Sequence, residues 1–185
     1  LDGTISEMLK LALSFVISNI KKATRVNEYG NREDILEYPI KALREIILNA
    51  LIHRDYSIHT ENDPIRLIIY DDRIEITNPG GLYGRLSIDD LGKVRSDIRN
   101  PFIASILEIL EVTENRYSGI PTIYAEMKKA GLMEPVFENL RGTFKVTLYN
   151  SKKKELLNDD FVSKIKSYCK TPRTKESLAK FFGYD

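Results

Sequence analysis

Apolar residues recur at helical spacing in the first quarter of the chain. Residues 4–23 have apolar positions at Leu9, Leu13, Val16, Ile17 and Ile20. A second segment, residues 40–53, carries Leu43, Ile46, Ile47, Ala50 and Leu51 in the i, i+3, i+4, i+7, i+8 order of a stripe that faces a core. The pattern predicts two amphipathic helices. The second is expected to have Pro39 in its first turn and to end near Arg54.

Two further helices are predicted in the second half of the main body. Asn100-Pro101 opens the first, with Asn as the N-cap and Pro at the first helical position. Its apolar residues are Phe102, Ile106, Ile109 and Leu110. The second runs from Ile120 to Ala130, has Pro121 in its first turn and ends at Gly131 as a C-cap.

The β-rich segments form two hairpin signals. In "PIRLIIYDDRIEITNPGGL" two short runs flank Asp71-Asp72, and the second run stops at Asn78-Pro79-Gly80-Gly81. In "MEPVFENLRGTFKVTLYN" the residues Phe144, Val146 and Leu148 alternate with polar ones. Residues 24–39 and 82–99 are polar; the first is rich in turn signals, and the second is predicted to be a loop with one short helical turn.

The order of helices and hairpins predicts an α+β layer fold over residues 1–150, with a mixed sheet covered on one face by helices. After Asn150 the composition shifts, and residues 151–185 are predicted to be a linker followed by two short helices joined by "TPRT". Thr174 is the expected N-cap and Gly183 the expected C-cap of the last helix. Two such helices are the opening of a helix-turn-helix, here a truncated winged helix.

The charge distribution and the cysteine content bear on the possible partners and the cellular compartment of the protein. Net charge is +1, but residues 151–185 hold nine Lys/Arg and five Asp/Glu, a balance of +4 that leaves −3 for the rest. A basic tail favours contact with an anion such as DNA, although it can also serve solubility alone. Cys169 is the only cysteine, which fits a reducing cytoplasm. The longest apolar run, "MLKLALSFVI", is too short for a membrane span. Because the sequence begins at Leu1, we expect a fragment of a longer chain.

Three polar side chains, Glu45, Asn49 and His53, follow one another at steps of four on the second helix. This spacing places them on one face, beside the core stripe. A carboxylate there can orient or deprotonate a water, and an amide oxygen can bind Mg²⁺. A solvated helix face would show the same pattern, and His53 could cap the helix or bond to the next loop instead of contacting a ligand.

The stretch Glu45-Ile-Ile-Leu-Asn49-Ala50 resembles the Glu-x-x-x-Asn-Ala helix of the GHKL ATPases. The resemblance implies that Glu45 is the general base, that Asn49 binds Mg²⁺ and that ATP is the cofactor. Asn78-Pro79-Gly80-Gly81 stands where that family has Asp-x-Gly-x-Gly, so Asn78, Gly80 and Gly81 would form the adenine edge.

Two motifs later in the chain also resemble those of the GHKL ATPases. Ser118-Gly119 is what remains of the family's Gly-rich phosphate loop, and these residues would donate to phosphate. Gly142-Thr143 matches the closing Gly-Thr, so Thr143 is assigned to the nucleotide site together with His53. The sequence holds no Gly-x-x-x-x-Gly-Lys-Ser/Thr loop, so helicase activity is not expected.

Residues 36–150 are similar to one subfamily, the ATP-binding-like C-terminal region of Schlafen/Alba-type transcriptional regulators, often labelled as related to the RecG ATP-dependent DNA helicase. The stretches that carry the likeness are "ALREIILNALIHRDYS", "DDRIEITNPGGL", "RNPFIASIL" and "YSGIPTIYAEMKKAGL". The resemblance implies a GHKL (Bergerat-type) α/β sandwich followed by a winged helix that binds DNA.

The leading interpretation is therefore a nucleotide-binding-like regulatory domain of a prokaryotic transcriptional regulator, cytoplasmic, with DNA as partner and a homodimer as a further option. Two alternatives stay open. One is a scaffold or dimerisation module that has lost its nucleotide, and the other is a slow Mg-dependent ATPase that acts as a conformational switch.

Overall fold

The computed structural model describes residues 3–26, 29–94, 97–112, 119–152, 167, 168, 174 and 177. The chain divides into two units, Leu1–Asn150 and Ser151–Asp185. In the second unit, Thr174 Oγ1 accepts a hydrogen bond of 3.2 Å from Ser177 N, as an N-cap does. The other residues on which the helix-turn-helix prediction rests, Gly183 included, lie outside the described part of the chain.

The first unit contains helices and strands in mixed order. They are α1 (Ile5–Asn19), β1 (Lys22–Val26), β2 (Arg32–Leu36), α2 (Ile40–His53), β3 (Arg66–Ile69), β4 (Arg73–Pro79), α3 (Pro101–Ile109), α4 (Gly119–Lys129), β5 (Val136–Leu140) and β6 (Thr143–Tyr149). Short 3-10 turns cover Ile58–Thr60 and Ile88–Asp90, and the second is the helical turn predicted in the loop 82–99.

The larger sheet has the strand order β3-β4-β6-β5, and every pairing described in it is antiparallel. The predicted mixed sheet is corrected in this respect, because two hairpins joined side by side through β4 and β6 give antiparallel neighbours throughout. In the central pair, Ile74 lies opposite Leu148, Ile76 opposite Val146 and Asn78 opposite Phe144.

The core lies between this sheet and the helices. All five residues of the α2 stripe are buried, and so are Ile74, Ile76 and Leu148 of the sheet. Because side chains alternate along a strand, Asn78 shares the helix-facing side with Ile74 and Ile76. An amide therefore stands at the end of an otherwise apolar row, which is unusual for a buried position.

The N-terminal region differs from the prediction. A capping box between Thr4 and Glu7 starts α1, but the helix ends at Asn19 and not at residue 23. Residues 22–26 and 32–36 pair as an antiparallel two-stranded sheet, where the sequence predicted the end of the first helix (residues 22–23) and a polar, turn-rich segment (residues 24–39). The described side chains of β1 are all exposed, and among those of β2 only Leu36 is partly buried, so the ribbon leaves little apolar signal in the sequence.

Helix α3 is present as predicted, but two of the apolar residues that indicated it do not face the core. Phe102 is 77% exposed and Ile109 80% exposed, whereas the buried residues of the helix are Ala104 and Leu107. The helix packs on the core through the side that carries Leu107 and leaves the side with Phe102 and Ile109 open.

Candidate functional site

The polar face of α2 is organised by a contact within the helix. Asn49 Nδ2 donates a hydrogen bond of 3.2 Å to Glu45 Oε1, as side chains four apart on a helix can do. An amide that donates through its nitrogen keeps its oxygen on the other side of the group. Asn49 Oδ1 is thus turned away from the carboxylate, in an orientation suited to a cation or a donor.

The first residue of α4 lies against this pair. A Cβ at Gly119 would overlap Glu45 Oε1 and would lie 2.8 Å from Asn49 Nδ2. Glycine at this position therefore leaves the space that Glu45 Oε1 and Asn49 Nδ2 occupy, and it does not serve an unusual backbone conformation. The N-terminal N–H groups of a helix lack partners inside the helix, so this arrangement sets hydrogen-bond donors beside a carboxylate and an amide.

Asn78 is the second polar group of the site. It is 4% exposed, and its Oδ1 is buried with no hydrogen-bond partner in the described structure. An unsatisfied buried acceptor costs about 1–3 kcal/mol. The residue nevertheless lies in the most regular part of the fold, opposite Phe144 in the β4–β6 pairing.

His53, at the last position of α2, is neutral near pH 7. Burial, and after it the positive charge of Arg99, hold the pKa of His53 below its ordinary value of 6.5. A neutral imidazole carries one donor and one acceptor nitrogen.

These groups line one cavity of about 120 Å³ between α2, the sheet, the start of α4 and the segment after β4. Its polar lining includes Asn49, His53, Asn78 and Gly119. Its apolar walls are formed by Ile46, Ala50, Ile76, Ile123, Phe137, Phe144 and Val146, together with Leu82, Tyr83, Leu86, Leu91 and Val94 of the loop. Apolar walls with a few placed polar groups are typical of small-molecule sites.

The turn after β4 holds the cavity edge in place. Gly80 and Gly81 have φ values of +106° and +57°, which L side chains rarely adopt. Arg99 Nη2 donates to the carbonyl oxygens of both glycines, and Arg99 Nη1 lies 3.4 Å from Asp55 Oδ2. Arg99 also lies over the ring of Tyr83, with Cζ 4.9 Å from the ring centroid. None of Arg99, Asp55 and Tyr83 was predicted as a site residue from the sequence.

Asn100 connects the end of α2 to the start of α3. It occupies the N-cap position of α3 but makes no side-chain capping bond there. Its Nδ2 donates instead to Ile52 O at 2.7 Å and to Arg54 O at 2.8 Å, which satisfies carbonyl groups at the C-terminus of α2. The side chain of Asn100 therefore caps the C-terminus of α2 and not the N-terminus of its own helix, α3.

The structure brings together most of the residues assigned from the sequence. Asn49, His53, Asn78, Gly81 and Gly119 line the cavity, and Glu45 contacts the start of α4. Two assigned residues lie elsewhere: Gly80 packs against Asp55 and Arg99, and Thr143 donates its hydroxyl to Leu140 O at the turn between β5 and β6. Ser118 lies outside the described residues.

Within the ranges given above, no group of three or more His, Cys, Asp or Glu is placed to hold a metal ion. In that same part of the chain, every helix is too short or too polar to cross a bilayer.

Comparison with known proteins supports an ATPase-like domain. Residues 62–148 match the model of the ATPase family HATPase_c_4, whose description reads "Putative ATP-dependent DNA helicase recG C-terminal". No curated protein matches the chain. Among solved structures, the DIP2311 protein from Corynebacterium diphtheriae is similar, with a TM-score of 0.68 and 25% identity over 79% of this chain. The match spans 29% of that protein's own length. The chain thus contains an ATPase-like, nucleotide-binding-like domain with an α+β fold.

Proposed function

We propose that the domain binds a purine nucleotide with Mg²⁺ and serves as the regulatory part of a DNA-binding protein. The observation that carries the proposal is Asn78: this buried side chain, whose Oδ1 has no hydrogen-bond partner in the described structure, lines the same cavity as Asn49 and Gly119. A base whose ring edge carries a donor would satisfy that oxygen and recover the cost of its burial.

The walls of the cavity suit a planar base. Ile76 and Phe144 belong to the sheet, Ala50 to α2 and Leu91 to the loop, so apolar side chains surround the polar groups from several elements. His53, neutral because it is buried, supplies a further hydrogen-bonding group without adding charge next to the base.

The phosphates would lie at the start of α4. A helix N-terminus offers free N–H groups and the positive end of the helix dipole, and Gly119, the first residue of α4, lines the cavity. Asn49 lies at this point, and its Oδ1 is the kind of oxygen ligand that Mg²⁺ prefers. Mg²⁺ usually takes its other ligands from phosphate and water, which fits a site with a single amide ligand. Bound there, Mg²⁺ would neutralise phosphate charge.

Glu45 determines whether binding extends to hydrolysis. Its carboxylate accepts from Asn49 and lies beside Gly119, close to where the phosphates would be held. A carboxylate in that place can orient a water for attack on phosphate. Slow ATP hydrolysis that switches the conformation of the domain is the second candidate function, and the Glu45–Gly119 contact favours it.

The DNA-binding role is supported by charge alone. Residues 151–185 carry a balance of +4, whereas the preceding part of the chain carries −3. A positively charged segment attracts the phosphate backbone of DNA and makes such binding sensitive to salt.

Calorimetric titration of Mg-ATP and Mg-ADP into the full chain tests the nucleotide site. We expect the parent to bind, Asn49→Ala to lose Mg-dependent affinity, and Asn62→Ala to behave as the parent, because Asn62 is exposed and outside the cavity. If the parent does not bind millimolar nucleotide, the proposal is wrong and the domain is better described as a scaffold. If it binds, turnover that falls in Glu45→Gln identifies an ATPase, and turnover unaffected by that change excludes Glu45 as the base.

A further inference from the structure

We infer that the base site accepts 6-oxopurine nucleotides as well as 6-aminopurine nucleotides, because it is built on the amide of Asn78 and not on a carboxylate. This inference rests on the proposed nucleotide binding and adds the class of base that the site admits.

The side chain of Asn78 is held by packing and not by hydrogen bonds. It is 4% exposed, its Oδ1 has no partner, and no described residue forms a side-chain hydrogen bond with it. An asparagine amide carries an acceptor at Oδ1 and two donors at Nδ2. Its oxygen and nitrogen exchange places when the terminal torsion turns by about 180°. Since nothing in the described structure fixes the orientation, a ligand can select either one.

The two orientations match two kinds of purine edge. A 6-aminopurine presents an amino donor at C6 and an acceptor at N1, which pair with Oδ1 and Nδ2 respectively. A 6-oxopurine presents an acceptor at O6 and a donor at N1, which pair with the same amide after rotation. A carboxylate at this position would accept only, so it would pair with the single donor of either edge and face the single acceptor, N1 of a 6-aminopurine or O6 of a 6-oxopurine. The amide, which both donates and accepts, can pair fully with either edge.

The neighbouring groups do not select one of the two purine edges either. His53 is neutral, so its imidazole offers a donor on one nitrogen and an acceptor on the other. The two carboxylates that line the cavity are engaged within the loop: Asp90 Oδ2 accepts from Ser87 N at 3.0 Å and from Ser87 Oγ at 2.6 Å, and Asp97 Oδ2 accepts from Arg85 N at 3.4 Å.

The test is a comparison of Mg-ATP with Mg-ITP by calorimetric titration of the full chain. Adenine and hypoxanthine differ only at the C6–N1 edge, and both nucleotides carry the same triphosphate, so the ratio of their dissociation constants reports the base alone. We expect the ratio for the parent to lie within about threefold. Asn78→Asp should bind both ATP and ITP at least about tenfold more weakly than the parent, because a buried carboxylate then opposes N1 of adenine and O6 of hypoxanthine. Asn62→Asp adds the same charge outside the cavity and should leave both dissociation constants unchanged.

Each outcome has a separate meaning. If the parent binds ATP but binds ITP about tenfold or more weakly, the inference is overturned while the proposed function stands. If neither nucleotide binds, the proposed function itself fails. If Asn78→Asp binds both nucleotides as tightly as the parent, Asn78 does not contact the base and the inference is overturned. The triphosphate of purine riboside, which lacks the C6 group, tests the parent without any variant. It should bind about tenfold more weakly than ATP and ITP, and equal binding would overturn the inference.

Discussion

Replacing Gly119 by alanine would add one carbon atom at the start of α4, next to the two polar side chains of α2. That atom would overlap Glu45 Oε1 and would lie 2.8 Å from Asn49 Nδ2. Both clashing atoms are the ends of flexible side chains, so the carboxylate and the amide can turn aside without moving the backbone. The substitution should therefore disturb the polar pair and leave the fold in place.

The effect on stability should be small because two contributions oppose each other. Alanine is favoured over glycine in a helix by about 0.5–1 kcal/mol, and Gly119 has no left-handed φ that would reverse this. Loss of the Glu45–Asn49 hydrogen bond costs about 0.5–1.5 kcal/mol. The net change should stay within about 1 kcal/mol, or about 2–4 °C in Tm.

The effect on nucleotide binding should be large. Displacing Asn49 and closing the approach to the α4 N-terminus would remove at least one hydrogen bond to a charged group, worth about 1.5–3 kcal/mol, or about 10- to 150-fold in Kd. Calorimetry with Mg-ATP measures this loss, and thermal unfolding in the absence of nucleotide measures the stability.

Gly131→Ala is the matched control with the opposite pattern. Gly131 has a φ of +72° and no atom within 4 Å of an added Cβ, so alanine there should cost about 1–2 kcal/mol of stability and leave nucleotide affinity unchanged. If Gly119→Ala binds Mg-ATP as tightly as the parent, the reasoning about the start of α4 is refuted.

Three further predictions concern parts of the fold around the site. Because burial lowers the pKa of His53, the unfolded chain takes up a proton more readily than the folded one, so stability should fall as pH drops below about 6.5. Chemical denaturation between about pH 5 and 7 should show this slope, and an equal slope in His53→Gln would contradict it. Asn100→Ala removes two hydrogen bonds to the end of α2 and should lower stability by about 1–3 kcal/mol; an unchanged Tm would disprove that role. The basic residues in 151–185 should give weak, salt-sensitive and non-specific DNA binding in a gel shift, whereas tight, sequence-selective binding would count against it.

The parts of the fold that the sequence predicted well are those where one face is buried. The α2 stripe and the alternation of β6 follow from periodic apolar positions, since burial on one side imposes that period. The β1–β2 ribbon could not be found in this way, because its described β1 residues are all exposed. In α3 the period indicated a helix correctly, but the side that carries Phe102 and Ile109 is exposed and the side that carries Leu107 is buried.

In the candidate site, too, contacts within one helix could be predicted from the sequence and contacts between distant segments could not. Glu45 and Asn49 are four residues apart, so their contact could be expected from helical geometry. Arg99 contacts Gly80 and Gly81 across almost twenty residues of chain, and no local pattern specifies which carbonyls an arginine will reach. Asn100 shows the limit of local motifs, because a side chain suited to cap its own helix bonds to another one.

Arg99 contacts Gly80 and Gly81, so the two ends of the segment of residues 82–98 lie at the same point, next to the end of strand β4. A closed segment of this kind can change its length at little thermodynamic cost, since doubling a loop adds only about 0.6 kcal/mol of closure entropy. Relatives of this domain are therefore free to lengthen, shorten or rewrite residues 82–98 while the glycine turn and the arginine keep the sheet unchanged. The cavity wall supplied by that segment can diversify independently of the wall supplied by α2 and the strands.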